Sequence, residues 1–271
     1  MMKKMNLSMI IGLIIIVMII GLIIATPFME LSNPNDVDPA NRLKSSSAEH
    51  LLGTDFLGRD ILSRTLQGFK LSIFIAFMVT MISTVAGLVL GTLAAYNKYA
   101  SNIIMRVMDG IMAFPTIILA IALAGILGAG VSNIIISLTI SYFPTIVRLV
   151  KNEVLNIKNA EFVESYIVLG KSKFYIISKI IWPNIMSPIL VQTTFIFAMA
   201  ILNESILSFL GVGIKAPAPS LGGMVNDGRN YMIVAPWTIV YPGLTISMIV
   251  LGLNMFGDGL RDYFDPKKQV R

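Results

Sequence analysis

A chain of 271 residues that is 55% hydrophobic and only 13% charged lies well below the roughly one-quarter charged residues of an ordinary soluble domain, and its mean hydropathy of +0.79 marks a polytopic membrane protein. The net charge of +6 does not point to nucleic acid, because the basic residues sit at the ends of apolar runs rather than among clustered aromatics. With no cysteine and a single histidine, His50, disulfides, thiolate metal centres and multi-histidine metal sites are excluded.

Apolar runs predict six spans, at about 8–29, 71–96, 103–127, 131–150, 188–210 and 237–256. Backbone amides in lipid must be satisfied within the segment, so each span is expected to be a helix. The expected fold is an all-α integral membrane bundle. Its parts are a first helix with an outer loop (1–70), a core (71–256) with a polar loop at 151–187, and a tail (257–271). Gly87 and Gly91, and likewise Gly125 and Gly128, are expected at close helix contacts.

The first span follows Lys3 and Lys4 like a signal peptide, but it ends in ATPFME without a small-x-small cleavage site and is read as a retained helix. Beyond it, His50 to Arg64 reads HLLGTDFLGRDILSR. Gly53 and Gly58 allow tight turns there, and Asp55 and Asp60 bracket Arg59. A catalytic aspartate pair is conceivable, but nothing excludes water or supplies a base, so these charges are expected to fix the loop to the bundle.

In the third span Asp109 lies one turn beyond Arg106, and an intrahelical ion pair is the simple expectation. Pro115 removes a backbone donor and should kink that helix, either as part of a gate or as scaffold. Asn254 in the sixth span is open in the same way. Glu204, near the outer end of the fifth span, must face a partner or water. It stands either beside a polar path through the bundle or in a structural pairing with another subunit or local amides.

Glu161 to Pro183, between the fourth and fifth spans, is a polar stretch that must stay in water, EFVESYIVLGKSKFYIISKIIWP. Phe162, Tyr166 and Leu169 share a helical face, Gly170 permits a turn between two short helices, and Pro183 suits a helix start. Lys173 to Ile181 alternates lysine with apolar residues and is expected to lie on the inner membrane surface. Gly170-Lys171-Ser172 imitates a phosphate loop, but its first glycine is replaced by Ser165 and no strand precedes it, so nucleotide binding is rejected.

Basic residues set the orientation. Inner segments would hold Lys3, Lys4, Lys98, Arg106, Arg148, Lys151, Lys158, Lys171, Lys173, Lys179, Arg261, Lys267, Lys268 and Arg271. Outer ones would hold only Arg42, Lys44, Arg59, Arg64, Lys70, Lys215 and Arg229. Both termini and the 151–187 loop are therefore expected in the cytoplasm.

Glu164-Ser165-Tyr166, Gly170, Ile180, Trp182 and Pro183 resemble the EAA loop of ABC importer permeases, E-A-A-x3-G-x9-I-x-L-P, with Ser-Tyr for Ala-Ala and Trp182 for Leu. Leu52 to Arg64 is similar to the signature LGTDxxGRDxxSR of the C-type permease of the dipeptide, oligopeptide and nickel importers. LSFLGVGIKAPAPSLGGM, Gly228-Arg229, Ala235-Pro236-Trp237 and Gly257 to Asp262 resemble the same family, so the matches run from about residue 50 to 266.

The resemblance implies a six-helix type I importer permease, without its own ATPase site, that forms half of a translocation path for di- or oligopeptides. Nickel or a metal chelate is the alternative cargo. Implied partners are a B-type second permease, an outer substrate-binding protein and two ATPase subunits carrying ATP and Mg, with no cofactor or metal on this chain. Within the loop, Glu164, Ser165, Tyr166, Gly170, Ile180 and Pro183 would contact the ATPase, and Tyr166 suggests a cleft shaped to take it. An intramembrane aspartate enzyme would need a second carboxylate at the depth of Asp109. An ion-coupled carrier would show more mid-membrane charges and an inverted repeat.

Overall fold

The computed structural model describes residues 6–29 and 31–264. Lys3, Lys4, Lys267, Lys268 and Arg271, on which part of the orientation argument rests, lie outside them.

Ten helices follow one another: α1 (Leu7–Ala25), α2 (Ile61–Tyr96), α3 (Lys98–Met112), α4 (Thr116–Leu127), α5 (Val131–Lys158), α6 (Glu161–Val168), α7 (Lys173–Tyr175), α8 (Trp182–Phe209), α9 (Leu221–Gly228) and α10 (Trp237–Phe264). No strand occurs among the described residues, only an isolated bridge between Thr54 and Asp60. Among the described residues four helices are long and apolar enough to cross a membrane, or five if α3 and α4 form one bent span; α1 is a shorter apolar helix.

The helices overrun the predicted spans. α2 begins at Ile61, α5 continues to Lys158 and α10 to Phe264. Hydropathy marks only the part that faces lipid, whereas hydrogen-bonded turns continue into water until a cap or a breaker stops them. Asp60 caps α2 by accepting from the Ser63 N–H, and Asn97 caps α3 by accepting from that of Ala100.

Two expectations change. The third span is not a kinked helix: α3 and α4 meet at 89°, and Pro115 is the N-cap residue of α4. Proline disfavours helical geometry in the residue before it, so the chain turns at Phe114 and a new helix starts. Lys173–Ile181 does not lie flat as a surface strip either. α7, a π-helical stretch (Ile176–Ile181) and α8 run on as a single 37-residue helix, Lys173–Phe209. Ile176 and Ile181 are buried, and this inward apolar pair holds the segment to the bundle.

Glycines set the closest crossings. A Cβ at Gly87 would run into Ile146, and one at Gly91 would lie 2.7 Å from Cβ of Val150, so α2 and α5 pack along this edge. Gly12 and Gly252 do the same for α1 and α10. Gly125 and Gly128, also expected at contacts, have open space around them. Gly128 instead ends α4 at φ +82°.

Candidate functional site

At the end of the bundle where α5 stops, Asn159 and Ala160 turn the chain into α6. Val163 is the buried anchor of that short helix, and Tyr166, one turn on, packs half-buried against the core. The shared face proposed for Phe162, Tyr166 and Leu169 is thus split. Phe162 is 44% and Leu169 70% exposed, because position 163 rather than 162 points to the bundle. Tyr166 is therefore occupied within its own chain and is not presented whole to a partner cleft.

Gly170 closes α6 at φ +70° with nothing within 4 Å of a would-be Cβ, and Ser172 caps α7 by accepting from the Tyr175 N–H. Lys158 donates to the Ala95 carbonyl at 2.8 Å, and the Trp182 indole donates to Thr92 at 3.1 Å. These two bonds pin both ends of the segment to the end of α2. Trp182 thus has a role inside the fold that the motif alone could not show. Ile180 is half-buried against the core and Pro183 stands in the first turn of α8.

Between these pins an exposed surface remains. Glu164 and Ser165 are exposed, Ser165 bonding only the local Phe162 carbonyl. Ile167, Val168, Leu169 and Phe174 are 57%, 86%, 70% and 80% exposed. Glu161 and Glu164 lie in the first turn of α6, where the helix dipole favours carboxylates. An apolar knob with exposed Glu161, Glu164, Lys171 and Lys173 around it, on a segment fixed at both ends, suits docking to another protein.

The opposite end is a tied-down cap. Gly53 and Gly58 take φ of +80° and +79°. The Asp55 carboxylate accepts from the backbone N–H of Leu57 and Arg59 and from Nε of Arg59 at 2.6 Å, with Nε of Arg64 at 3.6 Å. Asp60 caps α2 and lies 3.0 Å from Nδ1 of His50. Arg59 reaches Asp227 of α9 at 3.7 Å, Arg64 donates to the Pro34 carbonyl, and the Trp237 indole donates to the Thr54 carbonyl. Both aspartates are engaged in hydrogen bonds within the loop and at the start of α2. Burial pushes the Asp227 carboxyl up from its ordinary value, while Arg59 and Arg64 oppose that rise.

The candidate path residues are not brought together. Glu204 is fully buried inside this chain, accepting from Ser72 of α2 at 2.6 Å and from Ser208 at 2.8 Å. Its hydrogen-bond partners are two hydroxyls of its own subunit. Asn203 likewise donates to the Tyr142 hydroxyl. Asp109 pairs not with Arg106 but with Arg148 of α5, at 2.5 Å, because the tertiary crossing offers a nearer guanidinium than the next turn does. Asn254 is half-buried in α10.

One feature escaped the sequence reading. A recess of about 730 Å³ lies between α5, α8 and α10, with Glu153, Gln192 and Arg261 on its wall. Only the spacing of Asn184, Ser187, Gln192 and Phe195 along one side of α8 could have signalled it.

Residues 87–270 match the family described as binding-protein-dependent transport system inner membrane component. The chain is 41% identical over 265 residues to the dipeptide transport system permease protein DppC of Alkalihalophilus pseudofirmus, covering 97% of this chain and 87% of that protein. It is 38% identical over 239 residues to the glutathione transport system permease protein GsiD of Pectobacterium atrosepticum, covering 88% and 79%. Its fold resembles a chain of the MetNI methionine ABC transporter in an inward facing conformation, with TM-score 0.61, 17% identity, and coverage of 76% of this chain and 98% of that one.

Proposed function

Because the chain belongs to the family of binding-protein-dependent transport system inner membrane components, the permeases of ABC importers, we propose that it carries short peptides and takes its driving force through the 161–183 segment. Peptide cargo is supported by relatives named for dipeptide and di/tripeptide transport; the nickel alternative is not favoured. The partners in this reading are a second permease, an outer binding protein, and two ATPase subunits that hold ATP and Mg. Both termini and the 161–183 segment face the cytoplasm, in line with the basic residues around it.

The carrying observation is the segment itself. α6 and α7 are pinned at Lys158 and Trp182, yet present Ile167, Val168, Leu169 and Phe174 outward. The segment continues directly from α5 and into α8. A motor closing on it would swing those two helices as rigid levers, exchanging one packing of the bundle for another.

The test is co-purification with ATP-driven uptake. Wild-type chain should retain a cytosolic ATPase and accumulate peptide in vesicles only with ATP, and Glu164→Ala with Gly170→Val should weaken both. Normal uptake from an ion gradient without ATP would rule the reading out.

A further inference from the structure

The recess of about 730 Å³ falls in the size range of sites for small molecules, and its wall mixes polar and apolar groups with one charge of each sign. It carries one carboxylate, Glu153 of α5, and one guanidinium, Arg261 of α10, together with Asn184, Ser187 and Gln192 of α8 and an apolar part that includes Val191, Phe195 and Phe264. Among the described residues neither charge is in an ion pair. Pro188, also on this wall, has no N–H, so the Asn184 carbonyl four residues back lacks its helical donor. The Asn184 amide donates to the Ile180 carbonyl at 2.7 Å, which leaves its side-chain oxygen as another acceptor.

We propose that this recess binds a short peptide with both ends free, its ammonium at Glu153 and the Asn184 acceptors and its carboxylate at Arg261. A guanidinium matches a carboxylate in fork geometry, and the amides and hydroxyl on the same wall suit a peptide bond. The proposal rests on the peptide-importer reading and deepens it by naming the parts of the cargo this subunit touches. Its position also links it to the motor. α5 leads into the coupling segment and α8 leads out of it, so a swing of that segment changes the spacing of two walls of the recess.

The chain contains no cysteine, so Ser187→Cys is the sole thiol of this subunit, and its labelling in the assembled transporter is read against the parent transporter without it. Labelling by a sulfonated methanethiosulfonate is followed with Ala-Phe, or with N-acetyl-Ala-Phe-amide, present. Ala-Phe should slow labelling and the doubly blocked peptide should not. Adding Glu153→Gln or Arg261→Gln should each raise the Ala-Phe concentration needed for protection about tenfold, the scale of one charged hydrogen bond. Arg261→Lys, which keeps the charge, should lose less.

Equal protection by the blocked peptide, or protection indifferent to both charge variants, would overturn the proposal. So would a Ser187→Cys that cannot be labelled even without peptide, since the recess would then be filled by another subunit. Uptake of Ala-Phe by the parent transporter separates the two levels. Without ATP-dependent uptake the peptide-importer reading itself fails; with it, an indifferent recess fails alone.

Discussion

Ser72 on α2 donates a 2.6 Å hydrogen bond to Glu204 on α8, across 132 residues of chain. The second carboxylate oxygen accepts from Ser208, so this buried group is held wholly by hydroxyls of its own subunit. Replacing it with alanine removes the acceptor of both hydroxyl protons, at roughly 1–3 kcal/mol each, although the Ser208 oxygen still accepts from the Ile214 N–H. Glu204→Ala should therefore unfold at distinctly lower temperature in detergent, followed by tryptophan fluorescence, while Glu204→Gln should retain most of the stability. Equal stability of wild type and the alanine variant would remove the structural role.

Gly87 and Gly125 make a matched pair of tests. A Cβ at Gly87 collides with Ile146, whereas Gly125 has no neighbour within 4 Å. Gly87→Val is expected to destabilise by about 1–3 kcal/mol, the usual range for overpacking. Gly125→Ala should be neutral or slightly stabilising, since alanine is the better helix former. Thermal unfolding of the two variants side by side checks the α2–α5 contact.

Gly170 separates backbone strain from side-chain contact. Its φ of +70° disfavours side chains, yet the space around it is empty. Asparagine tolerates this region better than most residues, and β-branched residues tolerate it worst. ATPase co-purification should therefore fall in the order wild type, Gly170→Asn, Gly170→Val, with little change in the unfolding temperature of the bundle. A loss that instead tracked side-chain size, with asparagine and valine alike, would point to a contact with the partner rather than to the turn.

Asp227 gives a pH dependence with a definite sign. Burial raises its carboxyl above the ordinary value, so the fold favours the protonated form. The stability due to this group is complete below the unfolded-state value and declines as pH rises through the raised folded value. Asp227→Asn should lose that decline, so wild type should weaken relative to the variant as pH rises through the weakly acidic range. Stability curves of the two proteins that stay parallel over this range would contradict it.

The Asp109–Arg148 pair joins α3 to α5 with side chains 58% and 43% exposed. Pairs this open contribute about 0.2–1 kcal/mol. Asp109→Asn should leave the unfolding temperature nearly unchanged, so any larger fall in transport rate would identify α3 as a moving element rather than a strut.

What the amino-acid order alone determined is everything set by transfer between water and lipid and by local stereochemistry. Apolar runs located the helices, glycines at 53, 58 and 170 marked positive-φ turns, and the stretch at 161–183 stood out because it stays polar between membrane spans. Only the folded chain decided which side chains meet. Arg148 rather than Arg106 answers Asp109, Ser72 answers Glu204, Val163 rather than Phe162 anchors α6, and Pro115 breaks its span outright. Helix crossings bring together groups tens of residues apart, and their rotation about each axis depends on all neighbouring packing at once. Periodicity along one strand of sequence carries no record of that.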